Sequence, residues 1–249
     1  MTRGPLLSPV TDPLYLDDPD VRRFEATVDR SLGDRIVLDR TAFYPEGGGQ
    51  PADAGVLESG DRRWRVTDVQ KRDTIHHHLD GEGPPAGTAV TGIVDGERRR
   101  AHSRYHTAQH LLSAVLLAEY DAPTKGNALY ADRARLDCGY DRFADDELAA
   151  IEDRLNELIE ADLPVRWYTL DRERAERELD PERTRLELLP ASITEVRIVE
   201  IGDREAPLDR TACAGTHVRS TGEIGPLSVT GRETRGPEEE RLRFRLDGR

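Results

Sequence analysis

The sequence predicts an α+β protein in which a small N-terminal β-barrel is followed by a mixed α/β domain. Two observations predict this class. Short strand-like segments separated by turn residues fill the first 95 residues, whereas helical periodicity begins only after them. Helices and strands in separate runs favour an α+β arrangement over a doubly wound parallel sheet. We therefore divide the 249-residue chain into domains of residues 1–95 and 96–249.

The first domain is predicted to be a small barrel or a sandwich. It holds seven or so short strand-like segments, several of which alternate between apolar and polar residues, and Gly, Pro and Asp separate them. The region lacks a convincing helical pattern, which is typical of antiparallel barrels and sandwiches. The clearest predicted strands are Phe24–Val28, Arg35–Leu38, Trp64–Val69 and Ala89–Val94.

The second domain is predicted to contain two helices and several strands. Residues 102–119 have a helical pattern with an apolar face at 111–117, and residues 145–162 form a second amphipathic helix. Residues 127–138, between these helices, indicate a hairpin, and the charged stretch 172–187 is interpreted as a solvated helical face. Further strands are predicted at Val165–Tyr168, Val196–Ile201, Ile224–Val229 and Arg241–Arg245.

The charge balance of the chain is strongly acidic. Asp and Glu number 49 against 36 Lys and Arg, which gives a net charge of −13, and lysine occurs only at Lys71 and Lys125. Concentrated salt would screen the self-repulsion of such a surface, so the composition predicts a halophilic protein. A codon preference for arginine in a genome of high GC content is the alternative, and both explanations remain open.

Cysteine content and hydropathy exclude two classes of protein. Two cysteines, Cys138 and Cys213, are too few for a disulfide framework. The first twenty residues contain no apolar segment of signal-peptide length, and no stretch approaches the length of a membrane span. We therefore expect a soluble, cytoplasmic protein.

Two pairs of ligand-type residues predict a metal site. His106 and His110 lie four residues apart in the first helix, so both imidazoles share one helical face. Cys213 and His217 form a second pair across a turn, and together the four residues suit tetrahedral zinc. Because His102 continues the helical stripe, ordinary surface histidines are the alternative. The triplet 76–78 is interpreted as a chance run or a surface contact, since alternation separates its members.

Three motifs occur in a fixed order along the chain, together with two flanking segments. The motifs are Phe43–Asp53, the His106/His110 pair and Cys213–His217, and the segments are Val199–Asp203 and Arg219–Gly225. In this combination the chain resembles the alanyl-tRNA editing family, over about residues 35–235. The resemblance implies the free-standing, medium form, with an N-terminal glycine-motif barrel and a zinc-bearing editing domain.

The resemblance also implies a substrate and a set of site residues. The family removes a wrong amino acid, most often serine and in some cases glycine, from tRNA(Ala), so we expect the tRNA(Ala) acceptor end as partner and Zn²⁺ as cofactor. Thr124 falls where the family places the side chain that selects the substrate hydroxyl, and Gln109 lies between the two histidines. Substrate contacts are therefore expected at Gly47, Gly48, Gly49, Gln50, Gln109 and Thr124.

Two further expectations come from the residues themselves. Asp209, just before the cysteine motif, is a candidate partner for a zinc histidine or an ordinary turn aspartate. Phosphate contacts require local positive charge, and the basic run before the first helix is the candidate tRNA contact, with a solvated charged turn as the alternative. Its members are Arg98, Arg99, Arg100 and Arg104.

The sequence leaves the mechanism and one alternative function open. Zinc could act as a Lewis acid, bind the substrate amine or activate water, and no residue is assigned as a general base. Four protein ligands are typical of structural zinc, so a non-catalytic tRNA-binding module is the main alternative. A related editing domain of the threonyl-tRNA synthetase type is the other.

Overall fold

The computed structural model describes residues 11–181, 183–184, 186–190 and 192–248. Their contacts group the chain into two compact units. The barrel unit consists of the described residues of Met1–Gly47 together with Pro51–Arg99. The second unit consists of Gly48–Gln50 and the described residues of Arg100–Arg249. Three residues of the glycine motif thus group with the later part of the chain.

The barrel unit is built from strands and one short helix. Its elements are β1 (Asp12–Pro13), α1 (Leu14–Asp17), β2 (Arg23–Leu32), β3 (Arg35–Leu38), β4 (Arg40–Thr41), β5 (Gly55–Ser59), β6 (Arg62–Lys71), β7 (Ile75–Leu79) and β8 (Ala89–Val94). Six of these strands close in the order β2-β3-β7-β6-β5-β8, each antiparallel to its neighbours. The predicted barrel is therefore confirmed, and closure leaves its sheet without an open edge.

Alternation of side chains fills the barrel. In β2 the inward positions Phe24, Ala26 and Val28 are buried while the residues between them face outward. In β6, Trp64 and Val66 do the same. The β-branched and aromatic residues at these positions suit a pleated surface that is buried on one side.

The histidine triplet of β7 is not a surface contact, contrary to the expectation from sequence. His77 is fully buried, and its Nε2 lies 2.8 Å from the hydroxyl of Thr41. His76 is also buried, and its Nε2 lies 2.9 Å from Asp73 Oδ1. Alternation along the strand does place neighbouring histidines on opposite faces, as expected. The prediction of an exposed triplet is wrong because His76 and His77 are both buried.

The helix that carries the first ligand pair is α2 (Gly96–Tyr120). It begins six residues before the predicted start, because Asp95 caps its N-terminus. The side-chain Oδ1 of Asp95 accepts a hydrogen bond from the backbone N–H of Arg98, and its carbonyl accepts one from the backbone N–H of Arg99. The run 98–100 is therefore the first turn of a helix rather than a charged loop. Leu111, Leu112 and Leu116 are fully buried in the core of the second unit.

The rest of the second unit forms two antiparallel sheets with two more helices. Its elements are β9 (Thr124–Leu129), β10 (Ala134–Cys138), α3 (Asp145–Glu160), β11 (Val165–Asp171), α4 (Arg172–Glu178), β12 (Glu195–Gly202), β13 (Pro207–Ala212), β14 (Leu227–Gly236) and β15 (Glu239–Leu246). One sheet has the order β14-β15-β10-β9, and the other is β11-β12-β13. The predicted 127–138 hairpin is thus β9 and β10.

Two sequence expectations in this unit are corrected. The strand predicted from Ile224 begins only at Leu227, because a 3-10 turn ends at Ile224 and Gly225 adopts a φ of +76°. The stretch expected to be a solvated face buries Ala175 and Leu179 in a small separate cluster. Among the described residues, none of the helices combines the length and the apolar composition that crossing a bilayer requires.

Candidate metal centre

The four predicted metal ligands lie together in the second unit. His106 and His110 project from one face of α2, and Cys213 and His217 lie on the turn that follows β13. One ligand atom from each of the four residues lies within 4.8 Å of the others. The three histidines are buried and Cys213 is partly exposed, so this cluster could hold one metal ion.

The Nε2 atoms of two histidines lie close to the cysteine sulfur. Cys213 Sγ lies 3.5 Å from His106 Nε2 and 3.4 Å from His217 Nε2. The ring centroids of the three histidines lie 4.5 to 5.2 Å apart. The turn positions the sulfur in part through the backbone, since the N–H of Gly215 donates to Cys213 Sγ at 3.4 Å.

Each histidine is held at its other ring nitrogen. His106 Nδ1 lies 2.8 Å from Gln50 Oε1 and His110 Nδ1 lies 2.7 Å from Asp209 Oδ2. His217 Nδ1 lies 3.2 Å from the hydroxyl of Thr107. Because the Thr107 hydroxyl donates to the carbonyl of Ser103, its oxygen accepts the hydrogen bond from the Nδ1–H of His217. A proton on every Nδ1 leaves every Nε2 as the ligand atom, which is the arrangement of metal-binding histidines.

Gln50 differs from the expectation that it contacts substrate. It is fully buried, and its Oε1 accepts hydrogen bonds from His106 Nδ1 and from the N–H of Thr216 at 3.1 Å. Its Nε2 donates to the hydroxyl of Thr216 at 3.0 Å. Both polar atoms of this amide are therefore engaged in joining the ligand-bearing helix to the cysteine motif.

Gly215 allows the cysteine motif to lie against the helix. A Cβ at this position would fall 2.1 Å from Cε1 of His106, closer than real contacts allow. Any other residue would push the turn away from the imidazole. Ala214, next to it, is exposed and bears no such restriction.

The electrostatics of the site favour negative groups around a cation. Burial lowers the pKa of His217 to about 3. Burial alone would raise the pKa of the Cys213 thiol, but the imidazoles beside it lower that pKa well below its usual value. Asp209 is buried too, yet Arg183 and the hydrogen bond from His110 lower its pKa. Burial disfavours the charged form of His110, but Asp209 and Cys213 raise its pKa to about 9. A buried thiolate and carboxylate suit a bound cation.

A polar network connects His110 to the predicted hydroxyl-selecting residue. Arg183 Nε donates to Asp209 Oδ1 at 2.8 Å, and the same guanidinium donates to the hydroxyl of Ser113. Ser113 lies one helical turn after His110 and hydrogen-bonds to the hydroxyl of Thr124. Thr124, on the first residue of β9, thus shares a network with a metal ligand. Gln109 is buried on α2, beside His110 in sequence.

The glycine motif contributes backbone rather than side chains. Gly48 and Gly49 have φ values of +59° and +84°, which favour glycine. A Cβ on Gly49 would lie 1.8 Å from Oδ1 of Asn127, and the carbonyl of Gly49 accepts a hydrogen bond from the N–H of Leu129 at 2.9 Å. The chain therefore runs against the edge of β9 here. Gly47, in the barrel unit, accepts a hydrogen bond from the Tyr44 hydroxyl at its carbonyl.

Arg99 lies in a different place from the one predicted. Its guanidinium is fully buried and pairs with Asp53, the last residue of the glycine motif. It also donates to the carbonyls of Pro19 and Ala42. A guanidinium without solvent access cannot contact an RNA phosphate, so we remove Arg99 from the proposed tRNA contacts.

The other three basic residues are only partly available. Arg98 donates two hydrogen bonds to the carbonyl of Ala52. Arg104 donates to the carbonyl of Ile224 at 2.8 Å and to that of Gly248 at 2.8 Å. Arg100 is exposed and lies 3.8 Å from a Glu223 oxygen. Of the four, only Arg100 presents a largely solvent-facing guanidinium.

Sequence reasoning missed four residues that hold the site: Ser103, Thr107, Ser113 and Arg183. A signal existed for the helical residues, because Ser103, His106, Thr107 and His110 form a polar stripe at helical spacing on a buried helix. No local signal marks Arg183, which lies in the charged stretch that was interpreted as solvated.

Two family descriptions match the chain. The description "tRNA synthetases class II (A)" matches residues 17–98. The description "Threonyl and Alanyl tRNA synthetase second additional domain" matches residues 196–243, which include Cys213 and His217. Both regions of the chain therefore resemble parts of aminoacyl-tRNA synthetases.

Curated relatives match almost the whole chain. The alanyl-tRNA editing protein AlaX-M of Methanosarcina barkeri is 39% identical over 95% of this chain and 99% of its own length. AlaX-M of Methanosarcina acetivorans is 38% identical with the same coverage. The alanine–tRNA ligase of Methanopyrus kandleri is 42% identical over 95% of this chain but only 26% of the ligase. The resemblance inferred from the motifs is confirmed, and the chain belongs to the AlaX-M family of alanyl-tRNA editing proteins.

Proposed function

We propose that this protein acts in trans to hydrolyse the ester bond of misacylated tRNA(Ala), with seryl-tRNA(Ala) as the preferred substrate and glycyl-tRNA(Ala) as a second one. The observation that carries the proposal is the four-ligand cluster, which shares one polar network with Thr124. The relatives named as alanyl-tRNA editing proteins support the class of substrate. The tRNA synthetase descriptions that match both regions support the same class of substrate.

Zinc is the metal that the ligand set fits best. With Zn–N bonds of about 2.0–2.1 Å and a Zn–S bond of about 2.3 Å, the nitrogen–sulfur edge of a tetrahedron is about 3.6 Å. The Sγ–Nε2 distances of 3.4 and 3.5 Å are close to that edge. Three imidazoles and one thiolate are also the donors that zinc prefers. When bound, zinc would supply positive charge and Lewis acidity beside the scissile ester.

The residues around the ligands act as positioning groups in this proposal. Gln50, Asp209 and Thr107 each accept a hydrogen bond from the Nδ1–H of one imidazole and so direct its Nε2 inward. Gln50 does this in place of the substrate contact expected from sequence. The labile ester needs orientation more than strong acid–base chemistry, so a rigid ligand frame is consistent with the proposed reaction.

The Thr124–Ser113 pair is proposed to select the serine hydroxyl. Both residues present hydroxyls, and Arg183 donates to that of Ser113, so the pair has acceptor and donor capacity close to His110. A serine hydroxyl can join this network, whereas an alanine methyl would leave polar groups unpaired. The free-energy cost of these unpaired polar groups would discriminate against correctly charged alanyl-tRNA.

The glycine motif is proposed to admit the aminoacylated end at close range. Gly48 has nothing within 4 Å of an added Cβ, so space lies beside it. Gly49 has no such space, because its backbone is pinned to β9. We expect Gly48 to border the substrate and Gly49 to fix the loop. Gln109 and Gly47 remain proposed substrate contacts from the resemblance.

Hydrolysis of seryl-, glycyl- and alanyl-tRNA(Ala) by the purified protein tests the function. We expect the seryl substrate to be hydrolysed fastest and the glycyl substrate more slowly, because it has no hydroxyl. The alanyl substrate should be the slowest, because its methyl group would also lie against the polar groups. Thr124→Val should reduce hydrolysis of the seryl substrate by more than that of the glycyl substrate, because glycine has no hydroxyl. Thr124→Ser, which keeps the hydroxyl, is the matched control. Equal loss on both substrates would contradict the assigned role of Thr124.

A non-catalytic tRNA-binding module remains the second candidate, because four protein ligands are typical of structural zinc. Tight binding of tRNA(Ala) without hydrolysis of any of the three esters would favour that function. Specificity of the threonyl-tRNA synthetase type is disfavoured by relatives that carry alanyl names over nearly the whole chain.

A further inference from the structure

The outer face of the four-stranded sheet carries a concentration of arginine. In β15 the arginines alternate with Leu242, Phe244 and Leu246, of which Leu242 and Phe244 are fully buried. Alternate residues of a strand point to opposite faces, so the arginines share the face that is turned away from the core. The members of this outer face are Arg133 and Arg135 at β10 and Arg241, Arg243 and Arg245 on β15.

This arrangement is costly for the fold itself. Arg135 and Arg243 are direct partners across the β10–β15 pair. Like charges directly opposite one another in a sheet are destabilising. In a chain with a net charge of −13, such a concentration of positive charge stands out from the rest of the composition. An external anion would relieve the repulsion.

Carboxylates neutralise the outer face only in part. Asp137 accepts hydrogen bonds from Arg135 and Arg241, each at 2.6 Å. Arg243 pairs with Glu233, and Arg133 pairs with the exposed Asp132. Arg245 is exposed and forms no ion pair with the part of the chain that the structure describes. Among the described residues, the five arginines therefore form ion pairs with only three carboxylates, so the positive charge of this group is not fully paired.

The positive residues line a groove with an exposed aromatic ring. The cavity has a volume of about 470 Å³, and Tyr130, at the hairpin between β9 and β10, is 42% exposed beside it. The guanidinium of Arg133 lies 4.4 Å from the centroid of the Tyr130 ring. The lining of the groove also includes Arg135, Arg243 and Arg245. Arginines with an exposed aromatic ring are the side chains that contact RNA phosphates and bases.

Strand β9 connects this groove to the metal centre. Thr124, at its first residue, hydrogen-bonds to Ser113 on the ligand-bearing helix, and Leu129, at its last residue, directly precedes Tyr130. Six residues of strand span about 17 Å. A stacked RNA strand rises about 3.4 Å per nucleotide, so about five nucleotides cover the same distance. The four unpaired nucleotides at the 3′ end of tRNA, together with the first base-paired one, make up about that number.

We propose that the arginine groove binds the phosphate backbone of the tRNA acceptor stem, at the base pairs next to the aminoacylated 3′ end. The inference rests on the proposed function for the identity of the RNA. The groove supplies sequence-independent affinity, while the network around Thr124 selects the amino acid. In this proposal the groove replaces the arginines at the start of α2 as the tRNA contact, because Arg98, Arg99 and Arg104 donate hydrogen bonds within the protein.

A charge-matched pair of triple variants tests the groove. Arg135→Gln, Arg243→Gln and Arg245→Gln remove three charges from it. Arg23→Gln, Arg63→Gln and Arg65→Gln remove three exposed charges from the barrel unit. Binding of uncharged tRNA(Ala) is measured by fluorescence anisotropy between about 50 and about 400 mM KCl. The groove variant should lower the slope of log K against log [salt] by about three, and the barrel variant should leave it unchanged.

Kinetics on two substrates separate stem binding from chemistry. For seryl-tRNA(Ala), the groove variant should raise KM at least about tenfold and leave kcat within about twofold. For a seryl-CCA trinucleotide, which has no stem, its kcat/KM should match that of the unmodified protein. Equal weakening by both triple variants, unchanged tRNA binding or impaired trinucleotide hydrolysis would each overturn the proposal.

Two further measurements keep the outcome decisive. Arg245→Gln alone breaks no ion pair, so it tests the groove even where the triple variant unfolds, and it should lower the salt slope by about one. An unchanged slope for Arg245→Gln would count against the groove. If the unmodified protein hydrolyses neither ester, the proposed function fails, but the difference in tRNA binding between the two triple variants still decides whether the groove binds RNA.

Discussion

The protein contains two groups of three histidines, and only one of them has the geometry of a metal site. The triplet of β7 is consecutive in sequence, and two of its members are buried in the barrel unit. His106, His110 and His217 are separated by up to 111 positions, yet they converge on Cys213. The distinction lies in the partners: each Nδ1 of the second group is held by a different polar side chain, and each Nε2 is left facing the same point.

Proximity of histidines along the chain is therefore a poor guide to a metal site. The polar side chains that hold the Nδ1 atoms, which we call outer partners, are a better one. Alternation in a strand separates neighbours to opposite faces, so a triplet cannot place three imidazoles around one ion. A helix places residues four apart on one face, and a turn can bring a distant pair to it. Burial alone does not make a ligand, because His77 is as buried as His217.

The largest expected effect is the loss of metal from one group only. We expect about one zinc per chain in the unmodified protein, as one four-ligand set implies. Replacing Cys213 and His217 together with alanine should remove it and lower ester hydrolysis by more than about a hundredfold, because loss of an outer partner alone costs up to that much. Metal analysis and single-turnover deacylation measure both effects.

The matched control for that variant is the double replacement of His76 and His77 with glutamine. It should keep the zinc content at about one per chain, even if the barrel is destabilised. Zinc retained by the first variant, or lost by the second, would break the comparison between the two groups.

The next effect in size concerns an outer partner. Asp209→Asn keeps the shape of the side chain but weakens the acceptor for His110 Nδ1 and the pairing with Arg183. We expect zinc affinity to fall by about 10- to 100-fold, measured by competition with a chromogenic chelator. Glu205→Gln, an exposed carboxylate a few residues away, is the control and should leave zinc affinity unchanged. No change for Asp209→Asn would show that this partner does not tune the site.

A smaller effect should appear in the pH dependence of stability. Burial lowers the pKa of His77 to about 3, against about 6.5 in an unfolded chain. Below pH 6.5 the unfolded chain binds a proton that the folded protein does not, so the free energy of unfolding should fall by about 1.4 kcal/mol per pH unit as the pH falls towards 3. Denaturant titrations of the zinc-loaded protein at several pH values measure this slope.

The variant that tests the assignment is His77→Gln, which should remove that part of the slope. His78→Gln, on the partly exposed neighbour, is the control and should retain it. Identical pH slopes for the unmodified protein and His77→Gln would show that the buried imidazole is not the source.

Salt is expected to have the most gradual effect, and it should act on both units. Screening of the net charge of −13 should raise the thermal midpoint from low salt towards molar KCl. Differential scanning calorimetry of the protein and of the Cys213/His217 variant would show whether the salt dependence is independent of the metal. A midpoint that is flat with salt would leave codon preference as the reason for the arginine bias.

Local patterns predicted the elements of this fold better than the contacts between distant ones. Alternation predicted the barrel strands, and helical spacing predicted the ligand pair on α2, because both depend on periodicities of a few residues. The same reasoning placed Gln50 on the substrate and Arg99 on the tRNA, since a side chain's type does not reveal its partner. Arg183 lies 70 positions from Ser113, and no local signal connects them.

The arginines also show that local sequence does not reveal which distant residues a side chain contacts. The run 98–100 had the composition expected of an RNA contact, but its middle member is the buried partner of Asp53. The arginines of β10 and β15 are spread over two strands that are about 100 residues apart, and only the strand register brings them together. Density of charge along the chain therefore did not separate the buried Arg99 from the exposed Arg100.

The division of the chain has a consequence for anyone who would excise or transplant the metal centre. Gly48–Gln50 belong to the second unit although they precede it by some fifty residues. A fragment that starts at residue 96 would carry all four ligands but lack the amide that holds His106 and Thr216. Such a fragment would lack the acceptor for His106 Nδ1, so a graft of the metal centre should include Gly48–Gln50.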